Sequence, residues 1–200
     1  AMSRFVRTQE PDGRAWTPRS NRGSPRDDKL WLDAFESNSL LRGPLNRVAT
    51  DGAQVPWHLY RLVRNEKDPD GQPLRREIRE HALLDLWRRP NPLMLGSQFR
   101  WLMTVWCELC GRFPVHIEYG RDGKTPRYLW PILPYDIANV PSNERPYWEF
   151  TLRGKKYIKP LRTDGRPDVI WITKLSCAAP YGYGRGAAMA VDHAVSIANG

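Results

Sequence analysis

Cysteines and long apolar runs are both scarce in this chain of 200 residues. Three cysteines, an odd number, argue against the disulfide framework of a small secreted protein. No apolar stretch approaches the roughly 20 residues that a membrane-spanning helix needs. The N-terminus lacks the apolar core of a signal peptide. These features predict an intracellular protein in a reducing compartment, with no membrane partner.

Motifs that bind phosphates are also lacking. The Gly-Lys pair in "LRGKKY", residues 152–157, lies in a hairpin pattern and has no Gly-x-x-x-x-Gly-Lys-Ser/Thr loop around it. The glycines of "GYGRG", Gly182, Gly184 and Gly186, do not have the Gly-x-Gly-x-x-Gly spacing of a dinucleotide site or a strand directly before them. We therefore expect a turn whose glycines permit close packing.

Catalytic constellations are weak. Asp164, Asp168 and Lys174 are the nearest approach to a nuclease site, but no Glu-x-Lys accompanies them and Asp168 follows a proline at a strand start. No serine or cysteine has a recognisable nucleophile elbow, so the four histidines are expected to lie on the surface or in packing. The sequence predicts a protein that is not an enzyme and has no cofactor and no metal.

The strongest chemical signal is the Cys-x-x-Cys of Cys107 and Cys110 in "WCELCGRFPVHIEY", with His116 beyond a Gly-Pro break. A structural zinc needs four ligands, usually two such pairs. A thioredoxin-like motif lies at the start of a helix, whereas this pair lies at the end of one. Because Cys110 is on an apolar stripe, we expect buried structural cysteines, with a metal or redox site as the alternative.

Basic and turn-forming residues are abundant instead. The net charge is +9, and there are 18 prolines, 15 glycines and nine tryptophans, which favour polyanionic partners, short elements and extensive interfaces. Residues 1–29 carry seven basic and four acidic side chains, a net +3, and no apolar periodicity. They are predicted to form a disordered or draped arm, with an ordered partner-binding arm as the alternative.

The remainder alternates between helical and strand patterns. From Leu30 we expect helical segments broken near Gly43-Pro44, a turn at Asp51-Gly52 and a strand over 55–63. A helix then carries on one face Ile78, Ala82, Leu83, Leu86 and Trp87. Two prolines in "RRPNP" end it. A second helix, with Ser97 as its N-cap, shows a 3.6-residue stripe of Phe99, Leu102, Met103, Trp106 and Cys110, and Gly111 and Pro114 close it.

Strand patterns dominate the second half. They cover 115–119, 128–133, 147–152, 156–159 and 169–173, and a final helix is expected over Ala187–Ala198. Helices, then strands, then a helix predict an α+β fold in which helices pack on a mostly antiparallel sheet.

Several basic side chains are candidate contacts. Arg75-Arg76 and Arg88-Arg89 flank the first periodic helix, where solvated helix ends, phosphate contacts or intersubunit salt bridges all remain open. In "YWEFTLRGKKYIKP", Trp148 and Phe150 alternate with polar residues ahead of Lys155 and Lys156. This interleaving is the basis for an alternative function, a stand-alone basic nucleic-acid-binding domain without catalysis.

Taken together, the segments resemble the portal proteins of tailed double-stranded DNA bacteriophages, of the long-tailed, lambdoid type. "HALLDLWRRPNPLMLGSQFRWLMTVWCELCGRFPVHIEY" is similar to the family's short helix, Arg-Pro-Asn-Pro-like turn, second helix, glycine and strand. "NRVATDGAQVPWHLYR", "YLWPILPYDIANV" and "DVIWITKLSCAAPYGYGRG" match further family segments in order, so the resemblance covers roughly residues 38–195. Two turns depart from the family pattern, at 111–114 and at Gly186.

The resemblance implies a ring, typically dodecameric, at one capsid vertex, through which DNA passes during packaging and ejection. Implied partners are other copies of the chain, double-stranded DNA, the terminase, head-completion and tail connector proteins and the capsid protein. The implied location is the virion, and the host cytoplasm during assembly. Residues 30–200 would form a wing-type domain, truncated before most of the stem and clip. Candidate contacts with DNA or neighbouring subunits are Arg75, Arg76, Arg88, Arg89, Lys155, Lys156 and Arg185.

Overall fold

The computed structural model describes residues 25–63, 73–174 and 186–187. The α-helices in these ranges are α1 (Pro25–Ser37), α2 (Ser39–Gln54), α3 (Ala82–Arg88) and α4 (Gly96–Cys110). The strands are β1 (Leu59–Val63), β2 (Leu74–Ile78), β3 (Arg112–Tyr119), β4 (Pro126–Pro131), β5 (Ile137–Asn139), β6 (Tyr147–Leu152), β7 (Lys155–Pro160) and β8 (Val169–Thr173). A 3-10 turn, Pro134–Asp136, precedes β5.

The strands pair into three small sheets, all antiparallel. β1 pairs with β2, β3 lies between β4 and β8, and β6 lies between β5 and β7. The α+β class and the antiparallel pairing are confirmed, but the single expected sheet is wrong for the described residues. Pro131 ends β4, and Pro134 begins the 3-10 turn before β5. Because proline cannot donate to a ladder, the chain leaves the first sheet there and starts another.

Helix α4 is at the centre of the main core. Phe99, Trp106, Leu109 and Cys110 are buried, together with strand residues from β3, so the predicted apolar stripe is confirmed. Gly111 ends the helix with φ of 75°, a left-handed conformation that favours glycine. The expected capping by Ser97 is wrong: the helix begins at Gly96, and Gln98 Oε1 accepts a hydrogen bond from the Leu95 backbone N–H at 2.8 Å.

The first two helices are divided at Asn38, whereas the sequence predicts a break near Gly43-Pro44. Asn38 Oδ1 accepts hydrogen bonds from the backbone N–H groups of Leu40 and Leu41, at 2.9 and 3.4 Å, which caps the start of α2. Pro44 lies inside α2, and the expected turn at Asp51-Gly52 is helical as well. Packing of Leu41, Ala49 and Ala53 in the interior outweighs the local helix-breaking tendency.

The start of the folded region also differs from the expectation. Helix α1 begins at Pro25, within the predicted arm of residues 1–29, and the Asp28 side chain is fully buried. It forms an ion pair with the buried side chain of Arg112, a partner 84 residues away. The boundary at residue 29 is therefore wrong. An arm formed by the residues before α1 stays a prediction, because residues 1–24 lie outside the described part.

Three further boundaries differ around the first hairpin and the central strand. The helix expected from Ile78 begins at Ala82, because Ile78 ends β2, and β1 begins at Leu59, four positions after the expected start at Val55. Strand β3 begins at Arg112, directly after Gly111, so Pro114 lies inside a strand and does not close the helix. The strands predicted over 147–152 and 169–173 are confirmed.

Part of the chain's end falls outside the described residues, including Gly182, Gly184, Arg185 and nearly all of the helix predicted over Ala187–Ala198. Gly186 is described and buried. A Cβ atom placed on it would lie 2.2 Å from the Leu109 carbonyl oxygen and 2.4 Å from that of Glu108. The predicted close packing at this glycine is confirmed. None of the helices in the described ranges is long and apolar enough to cross a membrane.

Candidate docking surface

The β1–β2 hairpin is the least supported element of the described structure. Its register runs from Leu59 opposite Ile78 to Val63 opposite Leu74. Leu62 and Leu74 are 64% and 55% exposed, although both belong to strands. A two-stranded hairpin is marginally stable alone and needs a packing partner. The outer half of this hairpin therefore presents apolar area that the described residues do not cover.

The hairpin also places like charges opposite each other. Arg61 lies directly across from Arg76, and Arg75 lies across from Leu62. All three arginines are exposed, and the described residues provide none of them with an ion pair. Because like charges directly opposite in a ladder are destabilising, the Arg61–Arg76 pair weakens the hairpin unless an anionic group lies beside it.

A hollow of about 590 Å³ lies between the base of the hairpin and the helices, and we call it the hairpin groove. Its apolar lining is Trp57, Leu59, Ile78, Leu84 and Trp87, with Arg79, Arg88 and Arg100 beside them. The rings of Trp57 and Trp87 lie 4.5 Å apart, and Trp57 is 55% exposed. Tryptophan and arginine are enriched where protein partners bind tightly.

The polar side chains of the groove are partly held in place. His58 Nδ1 lies 2.8 Å from Glu77 Oε1, and this hydrogen bond holds the pKa of Glu77 below its ordinary value. Arg100 donates from Nε and Nη2 to the Ala53 carbonyl oxygen, at 3.0 and 2.7 Å. Arg88 lies 3.4 Å from Asp85 in an exposed pair, which is weak.

The face of the hairpin that lines the groove extends along both strands to the far end of the hairpin. Directly opposed strand residues share a face and every second residue returns to it. Arg61, Arg76, Val63 and Leu74 therefore lie on the same face as Leu59 and Ile78. We call the groove together with this outer face the hairpin surface.

The structure brings together some of the predicted contact residues and separates others. Arg75 and Arg76 lie on β2, while Arg88 and Arg89 lie at the end of α3, next to the groove. No sequence pattern pointed to Arg61 or Trp57, because their surroundings depend on the register of the hairpin and on the neighbouring α3. Arg185 lies outside the described residues.

Lys155 and Lys156 lie elsewhere, at the start of β7. Lys155 Nζ is 5.5 Å from the centre of the Tyr157 ring, and Lys156 pairs with Glu149 at 2.5 Å. Trp148 and Phe150 on β6 are buried. They are therefore not available to stack on bases, as the alternative of a nucleic-acid-binding domain would require.

A second hollow, of about 430 Å³, lies between the two three-stranded sheets. Arg162 on its border pairs with Asp164 at 2.5 Å and lies 3.9 Å from Asp168. Lys174, the third member of the nuclease-like set, pairs instead with Glu108 at 2.7 Å. The set is not assembled, and within the described ranges no group of three His, Cys, Asp or Glu side chains is arranged to hold a metal ion.

His116 is the titratable group that we expect to dominate the response of this second hollow to pH. Burial lowers its pKa below the ordinary value of 6.5, and the nearby Lys159 charge lowers it further, against the opposing effects of Asp168 and Glu118. The ring is neutral in the fold, whereas the unfolded chain takes up a proton below about pH 6.5. Stability should therefore fall as the pH falls from about 6.5 toward the lower folded-state pKa.

This fall should be smaller in His116→Gln, which cannot titrate. The measurement is urea unfolding of both proteins between about pH 5 and 8, with the ring titration followed by NMR. A His116 midpoint at or above 6.5 in the folded protein would contradict the prediction.

The two helical cysteines lie in unlike surroundings. Cys110 is fully buried, with Sγ 3.9 Å from the Asp28 carbonyl oxygen, and Cys107 is half-buried. Burial raises the pKa of Cys107 to about 11 and raises that of Cys110 further. Raised values disfavour the thiolate that metal binding and redox chemistry need. The expected burial is confirmed for Cys110, and its structural role stays a prediction.

Replacing Cys110 with serine should cost about 1–2 kcal/mol of stability, because a hydroxyl would be buried among apolar side chains. Cys107→Ser is the matched control, one helical turn away, and should cost less because that side chain is partly exposed. Urea unfolding of the two variants measures the difference. Equal losses would show that burial at residue 110 is not decisive.

Comparison with known proteins was made over the whole chain. The model of the family described as phage portal protein matches residues 41–199. Among curated proteins no match is found. Similarity to solved structures that are 21–22% identical to this chain shows a shared fold and nothing about activity.

Three solved structures contain similar chains. One is the virion of a native gene transfer agent particle, with a TM-score of 0.64 and 21% identity over 92% of this chain and 43% of that chain. Another is the neck of the empty particle, computed with C6 symmetry, with a TM-score of 0.63 and 22% identity over 90% and 46%. The third is the neck of the native particle, computed with C12 symmetry, with 0.63 and 21% over 90% and 45%. This chain spans less than half the length of each.

Proposed function

The chain belongs to the phage portal protein family, and from that premise we propose that it acts in a ring at one vertex of a phage or prophage capsid, where it conducts DNA during packaging and ejection. The observation that carries the proposal is the family match over residues 41–199. The similar folds in a virion and in particle necks support it. In this proposal residues 30–200, together with the start of α1, form the wing-type domain of the subunit.

The proposed partners follow from that place in the particle. They are other copies of the chain, double-stranded DNA, the terminase, the head-completion and tail connector proteins and the capsid protein. The proposed location is the portal vertex of the virion, after assembly in the host cytoplasm. The exposed apolar area and unpaired arginines of the hairpin surface support a chain that works in an assembly, because such a surface is incomplete by itself.

We further propose that the role is mechanical and not catalytic. Asp164, which the nuclease hypothesis would use, has its pKa lowered by the hydrogen bond from Arg162, so it is committed to an ion pair. The side chains of Lys174 and Glu108 are committed to each other. Purified protein should therefore neither hydrolyse ATP nor nick plasmid DNA. Metal-dependent nicking that is lost in Asp168→Ala would contradict this proposal.

The proposed ring is tested by electron microscopy of the purified protein and of whole particles. Negative-stain images of the purified protein, as it occurs in its phage or prophage, should show rings with a central channel. Gold-labelled antibody against the chain should mark a single vertex of each particle. Label distributed over all vertices, or particles without any label, would overturn the proposed function.

A further inference from the structure

A closed ring needs two different surfaces on every subunit. Each interface in a ring is heterologous, so one patch of a copy meets another patch of the next copy. The inference below rests on the proposed function for this requirement. The hairpin surface is one such patch, and the second must complement it, with negative charge for its arginines and apolar side chains for its apolar area.

The chain carries a surface with those properties on its first two helices. Leu30 and Leu40 are 60% and 74% exposed. Asp33 and Glu36 are exposed between them, three residues apart and so on neighbouring positions of α1. We call this surface, formed by Leu30, Asp33, Glu36 and Leu40, the acidic helix face.

Charges next to this face leave it acidic. Arg42 lies 3.8 Å from Glu36, but both side chains are largely exposed, and such a pair is weak. Burial raises the pKa of Tyr135, and the negative charges of Asp136 and Asp33 raise it further. The cations on α1 itself are Arg26 and Lys29, and Lys29 is exposed.

The two surfaces lie on opposite sides of α4. Trp87, in the hairpin groove, packs edge-on against Phe99, with ring centres 5.7 Å apart. Phe35, on the inner side of α1, packs edge-on against Trp101 at 6.1 Å. Phe99 and Trp101 are two residues apart, which is about 200° around a helix axis. The outer side of α1 and the hairpin surface therefore face away from each other, as copies arranged in succession require.

From this complementarity we propose that the hairpin surface of one copy receives the acidic helix face of the next copy. Arg61 and Arg76 would meet Asp33 and Glu36, while the apolar groove and Leu74 would cover the exposed leucines. The contact would supply the support that the two-stranded hairpin lacks and the counter-ions that its opposed arginines lack. It would also leave a free surface of each kind for a further copy.

The experiment is cross-linking between two differently marked chains. One chain carries Leu74→Cys on the hairpin, and the other carries Leu40→Cys on the acidic helix face. A short bismaleimide is added to the mixture. The matched control replaces Leu74→Cys with Leu161→Cys, because Leu161 is 54% exposed, Leu74 is 55% exposed and Leu161 lies outside both surfaces. The chain without an added cysteine gives the background from the native thiols.

Charge reversal makes the test specific. Arg61→Glu with Arg76→Glu is introduced into the hairpin chain, and Asp33→Arg with Glu36→Arg into the helix chain. Either double reversal alone should lower the cross-linked yield about tenfold, because like charges across an interface repel each other. The two reversals together should restore it to within about twofold of the parent pair. The substituted side chains are exposed, and circular dichroism melting confirms that each chain is folded.

The outcomes separate this inference from the proposed function. Yields equal to the Leu161→Cys control, or reversals that do not restore each other, would overturn the inference. It would also be overturned if cross-linking is absent and the arginine reversal instead weakens binding of a labelled short DNA duplex, since the hairpin would then contact DNA. If rings are found at a single vertex and the cross-linking fails, the proposed function holds and this interface is wrong.

Discussion

Replacing Arg112 with methionine should lower the free energy of unfolding by roughly 3–5 kcal/mol, because it leaves the buried carboxylate of Asp28 without its ion-pair partner. Arg112 is 1% exposed and Asp28 0%. Neither charge can be hydrated, so removing one of them affects the other far more than in an exposed salt bridge. The measurement is urea unfolding of Arg112→Met and the parent at neutral pH.

The control is an ion pair of the same chemistry on the surface. Arg47 and Asp51 are 3.0 Å apart, with side chains 81% and 59% exposed, so Arg47→Met should cost no more than about 0.5 kcal/mol. Replacing Asp28 with leucine as well as Arg112 with methionine should recover much of the loss, because no buried charge then remains. A cost for Arg112→Met no greater than that for Arg47→Met would contradict the prediction.

This ion pair also has a consequence for the N-terminus. Because Asp28 lies in α1 and Arg112 begins β3, a chain that starts at residue 29 lacks Asp28 and loses this ion pair. Such a chain should be destabilised like Arg112→Met, whereas trimming residues 1–24 leaves the pair intact. The sequence had favoured residue 29 as a harmless boundary, since the segment before it lacks apolar periodicity.

Replacing Gly96 with alanine should cost about 3 kcal/mol, because the added methyl group meets backbone that cannot move away. Its Cβ would lie 2.2 Å from the Trp87 carbonyl oxygen and 2.9 Å from that of Arg88. Gly96 is the first residue of α4, and the opposing carbonyls belong to α3. The substitution would therefore push α3 away from α4 and disturb the hairpin groove, which Trp87 lines.

Gly43→Ala is the matched control, because it is the same substitution in a helix where the added methyl group has nothing within 4 Å. Alanine loses less backbone entropy than glycine in a helix, so this variant should be more stable by roughly 0.5–1 kcal/mol. Thermal and urea unfolding should show a lower stability than the parent for Gly96→Ala and a higher stability for Gly43→Ala. A Gly96→Ala protein as stable as the parent would show that α3 and α4 can separate at little cost.

Short-range patterns in the sequence predicted the elements that depend on neighbouring residues. The apolar stripe of α4, its end at Gly111 and the strands β6 and β8 follow from periodicity and backbone preference. The burial of Cys110 was correctly predicted, because its place on the apolar stripe already indicated it. The order of several family-like segments was enough to indicate the portal family, although no single motif was diagnostic.

Tertiary structure decided whatever depends on distant residues. Asn38 and not Pro44 divides α1 from α2, because burial of Leu41 and Ala49 stabilises a helix that local preference would break. The ion pair of Asp28 with Arg112 joins positions that no sequence spacing connects, and the register that opposes Arg61 to Arg76 is set by pairing between strands. Residue type and periodicity thus determined by themselves the fold class and most of the elements, since these depend on local energies. The boundaries, the buried charges and the docking surface were decided only when the chain packed, because burial and proximity change the free energy of each side chain.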